Sequence, residues 1–177
     1  MKIGKRILVV YYSLSGNTER VAEDLAARLG AELQKIGDVR NRRGWLGYLR
    51  AAFDSIRERP AELTDTGKNP DGYALTLIGT PIWAGKITPA IRTYLRTHRG
   101  SFNDVAFFTT SGSTPEENVV PAMERLAGRQ AVASAGFNYV DLKTAGLYGK
   151  KLNAFLEGLQ RDRSCKVCGQ EPRHAHA

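Results

Sequence analysis

Short apolar runs alternate along the sequence with segments that have helical spacing. The run Arg6–Tyr12 is almost continuously β-branched or aromatic, which is typical of a strand buried on both faces of a parallel sheet. It should therefore be a central strand. Four further strands are predicted at Ala31–Ile36, Tyr73–Ile78, Val105–Thr110 and Ala131–Val140.

The segments between these strands predict amphipathic helices. In Thr18–Leu29, Val21 and Leu25 fall on one helical face, and Gly30 follows as a natural C-terminal stop. Strands that alternate with helices favour right-handed crossovers. The predicted fold is a doubly wound α/β three-layer sandwich around a five-stranded parallel sheet. The remaining predicted helices are Trp45–Ile56, Pro89–His98, Glu116–Leu126 and Gly149–Leu159.

Length and composition favour one globular domain. The chain has 177 residues, of which 42% are hydrophobic and 25% charged, and this excludes wholesale disorder, collagen and a disulfide miniprotein. We expect a domain at residues 1–160, with an insertion at about 38–69, and a flexible tail at 161–177. No apolar window approaches the roughly 18–20 residues of a membrane span, and no cleavage site follows the first run. We therefore expect a cytoplasmic protein.

The charge is strongly basic. Lysine and arginine number 26 against 18 acidic residues, giving a formal net charge of +8. This excess favours anionic partners such as phosphates, nucleic acid or acidic lipid, without choosing among them.

Ligands of doubly wound sheets bind beyond the carboxyl ends of the strands, so the loops there are the candidate site. The first loop, Ser13–Thr18, offers hydroxyls, an amide, a glycine and the free N–H groups of a helix start. These groups can cradle an anion, although the loop is not a Walker motif. The alternative is an ordinary polar helix cap.

The second and third loops are also unusual. In Thr80–Lys86, an exposed Trp83 would form a stacking platform; alternatively, it only plugs the sheet edge. The third loop, Thr110–Pro115, combines small polar residues with a glycine, and alone it indicates only a turn.

Together the three loops resemble those of the flavodoxin-like family. The first is similar to its Ser/Thr-x-Ser/Thr-Gly-x-Thr phosphate loop, and the second to its Thr-Pro-x-Trp flavin loop. The resemblance runs from about Arg6 to Leu159 in the short-chain form and implies the strand order 2-1-3-4-5.

The resemblance also implies that FMN binds without a covalent link. Trp83 would stack on the flavin ring, and the Ala84–Gly85 peptide would reorient to accept a hydrogen bond from the reduced ring. The implied cofactor-binding residues are Ser13, Leu14, Ser15, Gly16, Asn17 and Thr18 at the phosphate, Thr80, Pro81, Ile82, Trp83, Ala84 and Gly85 beside the ring, and Ser111, Gly112 and Ser113 at its pyrimidine end.

The implied function is electron transfer through the flavin, either as a carrier or as a small FMN-dependent NAD(P)H:quinone-type oxidoreductase. Carrier flavodoxins are generally acidic, so this basic chain should have acidic redox partner proteins or a small acceptor such as a quinone. We expect no catalytic side chains, because FMN would carry the chemistry. The alternative is a non-redox module that binds another phosphorylated ligand or nucleic acid. Trp83 in its Thr-Pro-x-Trp setting argues against that alternative, and nucleic acid is not favoured.

Two segments fall outside the resemblance. The insertion combines a basic stretch, Arg40–Arg50, with an apolar helical stripe, Trp45–Ile56; we favour a packed helix with a solvated basic edge over a docking lid. The tail holds Cys165, Cys168, His174 and His176, whose spacing permits zinc, a redox-active cysteine pair or an unremarkable reduced tail. We favour the last and assign no metal.

Overall fold

The computed structural model describes residues 6–37, 68–113 and 115–167. Within them strands and helices alternate as the sequence predicts, except at one strand hairpin and one pair of consecutive helices. Short 3-10 turns occur at Pro70–Gly72 and Glu116–Asn118. The strands and helices are β1 (Ile7–Tyr11), α1 (Asn17–Leu29), β2 (Glu32–Lys35), β3 (Leu75–Trp83), β4 (Lys86–Ile87), α2 (Pro89–Thr97), β5 (Asp104–Ser111), α3 (Val120–Ala127), β6 (Ala131–Asn138), α4 (Tyr139–Lys143) and α5 (Ala145–Val167).

The sheet has the predicted order. Its main path is β2-β1-β3-β5-β6, with every neighbouring pair parallel, so the five principal strands follow the order 2-1-3-4-5. The strand β1 is central, and its Val9 lies opposite Leu33 of β2 and Leu77 of β3. A sixth strand, β4, was not expected; its two residues pair antiparallel with the end of β3.

Helices cover both faces of the sheet. Val10 and Phe107 face one core, where Ile91 of α2 and Met123 of α3 pack. Residues one position away, such as Val9, face a second core, which contains Leu25 of α1 and Leu152 of α5. Successive side chains of a strand point to opposite faces, so the near-continuous apolar runs supply both cores. The predicted three-layer sandwich is confirmed.

Several element boundaries differ from the sequence-based prediction. The last predicted strand ends at Asn138, and Tyr139 and Val140 form the start of α4, a short helix that was not expected. The helix predicted from Glu116 begins at Val120.

The strand β3 continues through Thr80–Trp83, which was assigned to a loop, because Ile82 and Trp83 pair with Ile87 and Lys86 in a hairpin. The helix α5 runs from Ala145 to Val167, whereas the sequence predicted Gly149–Leu159. Residues 160–167 contain neither glycine nor proline, so nothing in the sequence stops the helix there.

Within residues 6–37, 68–113 and 115–167, no helix is long and apolar enough to cross a membrane. In the same ranges, no group of three or more His, Cys, Asp or Glu residues could hold a metal ion. The basic stretch Arg40–Arg50 and the helix Trp45–Ile56 lie outside the described residues, as do Cys168, His174 and His176. The predictions made for them stay predictions.

Candidate functional site

The three predicted loops meet at one edge of the sheet. They follow β1, β3 and β5, which are parallel neighbours, so all three leave the sheet at its carboxyl edge. The Thr18 and Thr110 hydroxyl oxygens lie 2.8 Å apart and join the first loop to the end of β5. The rings of Tyr12 and Trp83, 5.6 Å apart between centroids, join it to the end of β3.

The first loop ends in a helix start that no side chain caps. Gly16 is the N-cap residue of α1, with φ of 87°, and its N–H donates to the Ser13 Oγ at 3.1 Å. Ser15 and Asn17 beside it are exposed. The positive end of the helix dipole and two exposed polar residues therefore lie next to each other in the chain, an arrangement that suits a phosphate.

The acidic residue in the first turn of α1 is neutralised locally. The Glu19 carboxylate accepts hydrogen bonds from Lys35 Nζ at 2.7 Å and from the Tyr11 hydroxyl at 2.8 Å. These two bonds, the one from Lys35 above all, lower the pKa of Glu19. The carboxylate is thus paired with a cation, which reduces its repulsion of an anion at the helix start.

Thr18 is the buried member of the first loop. Its side chain is 1% exposed, and its hydroxyl shares a hydrogen bond with Thr110, which is 4% exposed. In this structure Thr18 fixes the position of the helix start against β5. Thr110 was part of the third loop but was not among the predicted ligands.

The second loop is a tight hairpin turn. Ala84 and Gly85 both have positive φ, 49° and 71°, as the two central residues of a type I′ turn require. Alanine is unfavourable in this conformation, so the turn is strained at one residue. Thr80 and Thr88 stabilise the hairpin from inside, where their buried hydroxyl oxygens lie 3.0 Å apart.

Trp83 is not an exposed platform in this structure. It is 6% exposed, belongs to the core beside α2, and meets Tyr12 edge-on at 86°. The sequence-based reasoning missed Tyr12, although it is the last residue of the first apolar run and immediately precedes the polar loop. That position was the available signal.

The predicted cofactor-binding residues differ in how far they are buried. The buried members support the loops from below, and the exposed members surround the edge of the sheet. Thr18, Thr80, Ile82 and Trp83 are buried; Ser13, Leu14, Gly16, Pro81 and Ser111 are half-buried; Ser15, Asn17, Ala84, Gly85, Gly112 and Ser113 are exposed.

Solved structures with the same fold include flavoproteins. The flavoprotein of Lactobacillus acidophilus NCFM, crystallised in complex with FMN, is 26% identical over 79% of this chain and 97% of its own, with a TM-score of 0.64. The match to the NMR structure of its apo-form covers 80% of this chain and 97% of that protein, with a TM-score of 0.61. A protein from Bacteroides uniformis ATCC 8492 shares the fold at 22% identity, over 84% and 99%, with a TM-score of 0.70.

A comparison with curated proteins finds no match. The sequence model of one family, described as Flavodoxin, matches residues 6–136. That range contains the whole path from β1 to β5, all three loops of the candidate site and most of β6. This match, together with the sheet order and the site at the carboxyl edge, shows that the chain belongs to the flavodoxin family.

Proposed function

We propose that this chain is a cytoplasmic FMN-binding redox protein that transfers electrons through a non-covalently bound flavin. One observation carries the proposal: the uncapped start of α1 and the ends of β3 and β5 meet at one sheet edge, joined by the Thr18–Thr110 hydrogen bond. The FMN complex of the Lactobacillus acidophilus flavoprotein supports the choice of ligand.

The donors of the first loop fit a phosphate monoester. Ser15 and Asn17 offer exposed polar side chains, and the N–H groups of the first turn of α1 are not capped by a side chain. Charge-assisted hydrogen bonds to these donors would hold the FMN phosphate without a paired lysine or arginine in the loop. The loop would therefore fix the cofactor at one end while leaving its ring near the hairpin.

The hairpin would line the side of the ring. When bound, FMN supplies the redox chemistry. Ala84 and Gly85 are exposed at the tip of the β3–β4 hairpin, and their peptide is the proposed acceptor for a ring hydrogen bond. Because Ala84 is strained there, reorientation of this peptide has less conformational energy to overcome. Tyr12 would hold Trp83 edge-on beneath this side.

The direction of electron flow separates the two forms of the proposal. A small reductase would accept electrons from NADH or NADPH and pass them to a quinone-like acceptor. A carrier would exchange electrons only with partner proteins, which the formal net charge of +8 suggests are acidic.

The test is the visible absorption spectrum of the protein after addition of FMN, followed by anaerobic addition of NADH or NADPH. A bound-flavin spectrum that the nicotinamide bleaches supports the reductase, and one that it leaves unchanged supports the carrier. Absence of flavin binding refutes the proposal and favours a non-redox phosphate-binding module.

A matched pair of variants tests the phosphate loop. Ser15→Ala should weaken FMN binding by about tenfold or more, since a lost hydrogen bond to a charged group has that effect. Ser134→Ala, at a serine of β6 that is also exposed, should leave the affinity unchanged. Equal affinities in the two variants would contradict the assignment of the first loop.

A further inference from the structure

A concave site lies beside the β3–β4 hairpin. It is a cleft of about 430 Å³ between α2, α3 and the hairpin, within the roughly 300–1,000 Å³ range of small-molecule pockets. Its charged lining is entirely basic among the described residues. We name it the arginine cleft after Arg92, Arg96, Arg99 and Arg125, which line it together with Lys86.

Part of the positive charge of the cleft is not neutralised locally. Within the described part of the chain, no side-chain hydrogen bond or ion pair links Arg96, Arg99 or Arg125 to another residue. Arg92 and Arg96 are four positions apart and share one side of α2. Arg99 follows two residues after the end of that helix and lines the same cleft, where like charges repel. A bound anion would remove this repulsion.

One of the arginines is built into the wall. Arg92 is 3% exposed, and its Nη2 donates a hydrogen bond to the Ile87 carbonyl oxygen at 3.3 Å. The helix dipole explains a basic residue in the last turn of α2 or α3, but it does not explain a buried arginine in the middle of α2. Charge therefore extends below the surface at this point.

The rest of the lining is apolar with a single amide. Ile87, Val119, Ala122 and Leu126 lie on it, beside Asn118. Guanidinium groups bind phosphate through paired hydrogen bonds and also stack on aromatic planes. A ligand that uses both parts of the lining carries a phosphate and an apolar or aromatic body.

We propose that the arginine cleft binds the phosphate monoester of a nucleotide-sized ligand. Arg96 and Arg125, one from each helix, hold the phosphate from two sides, and Arg92 supplies charge from below. The buried position of Arg92 and the cleft volume of about 430 Å³ favour a small ligand over the broad face of an acidic protein.

This site does not depend on FMN binding, although it lies close to the proposed flavin site. Gly85 and Lys86 line the cleft, and Gly85 is also a predicted flavin contact. A phosphate ligand could enter the first loop as well, so binding must be measured both on the full chain alone and on the chain with added FMN.

Isothermal titration with adenosine 2′,5′-bisphosphate tests the proposal, with inorganic phosphate and adenosine as partial probes. With FMN added, we expect one equivalent of the bisphosphate to bind, at least about tenfold more tightly than either probe, and we expect binding at the cleft to persist without FMN. Arg96→Gln and Arg125→Gln should each weaken binding by about tenfold or more. Arg161→Gln, which removes the same charge at a side chain 80% exposed on α5, should leave binding unchanged.

Three results would overturn the proposal. Equal weakening by Arg161→Gln would mean that the protein attracts the ligand only through its net charge. Loss of bisphosphate binding when FMN is added, together with a loss in Ser15→Ala, would place the ligand in the first loop. No binding of the bisphosphate would leave an acidic protein surface as the partner of the cleft. If FMN itself fails to bind, the comparison between the arginine variants and Arg161→Gln still decides the question.

Discussion

The Thr18–Thr110 hydrogen bond provides the sharpest test of how the site is held together. Both side chains are buried, and their hydroxyl oxygens are 2.8 Å apart. Replacement of either threonine by valine keeps the branched shape and removes one hydroxyl. The other hydroxyl then remains buried without this partner, which costs about 1–3 kcal/mol.

The double variant should be milder than the sum of the two single variants. Replacement of both members of a buried hydrogen bond by apolar groups of the same shape can be nearly neutral. We therefore expect Thr18→Val and Thr110→Val each to lower the free energy of unfolding by about 1–3 kcal/mol. The free energy of unfolding of the double variant should be higher than the sum of the two single losses predicts, by most of one such loss. Only interacting residues show this coupling.

Urea unfolding of the four proteins measures this coupling, and FMN titration of the same proteins separates two roles of Thr18. If Thr18 only fixes the helix start, both single variants should weaken FMN binding equally. If its hydroxyl contacts the phosphate, Thr18→Val should weaken binding much more than Thr110→Val. Additive losses of unfolding free energy would refute the hydrogen bond as a stabilising link between the loops.

Three further predictions concern the frame around the site. Ala84→Gly should raise the free energy of unfolding by up to about 1 kcal/mol, seen as a higher urea midpoint, because glycine adopts positive φ without strain. Glu32→Gln should destabilise the protein near neutral pH, since hydrogen bonds, the one from Lys68 foremost, lower the pKa of Glu32 to about 2. The stability that the ionised Glu32 carboxylate provides is complete above its unfolded-state pKa of about 4.3 and is lost as the pH falls through its folded-state pKa. The melting temperatures of parent and variant should therefore converge in acid. Gly79→Ala should lower the free energy of unfolding, measured with urea, by roughly 2–3 kcal/mol or more, because an added Cβ overlaps the buried ring of Phe108 in β5. Gly112→Ala, where the same atom meets open space, should be nearly neutral.

The sheet could be predicted because its signals are local. Val9 and Val10 lie in a short β-branched run that is apolar at every position, and such a run is typical of a strand buried on both faces. Gly30 ends α1 with φ of 60°, as the glycine after the apolar helical stripe predicts. These features depend on residues close in sequence, so they can be predicted without knowledge of the tertiary contacts.

The finer parts of the site could not be predicted because they depend on pairs that are distant in sequence. Nothing near Thr18 indicates that its hydroxyl meets Thr110, and nothing near Trp83 indicates that Tyr12 packs against its ring. The polar character of the loops was visible in the sequence. Which members are buried supports and which are exposed was decided by packing, as was the extension of β3 into the hairpin with β4.

The arginine cleft could not be predicted from the sequence for the same reason. The excess of basic residues indicates an anionic partner, and the sequence drew attention to the basic stretch Arg40–Arg50. Net charge is a sum over the chain, however, whereas the field that attracts a ligand depends on where the charges lie and on what surrounds them. Arg125 joins Arg92 and Arg96 only because α3 lines the same cleft as α2, and Arg92 becomes part of a wall only because it is buried there. Electrostatic attraction of a phosphate ligand should therefore depend on these positions more than on the total, so removal of one charge in the cleft should weaken binding more than removal of one charge elsewhere.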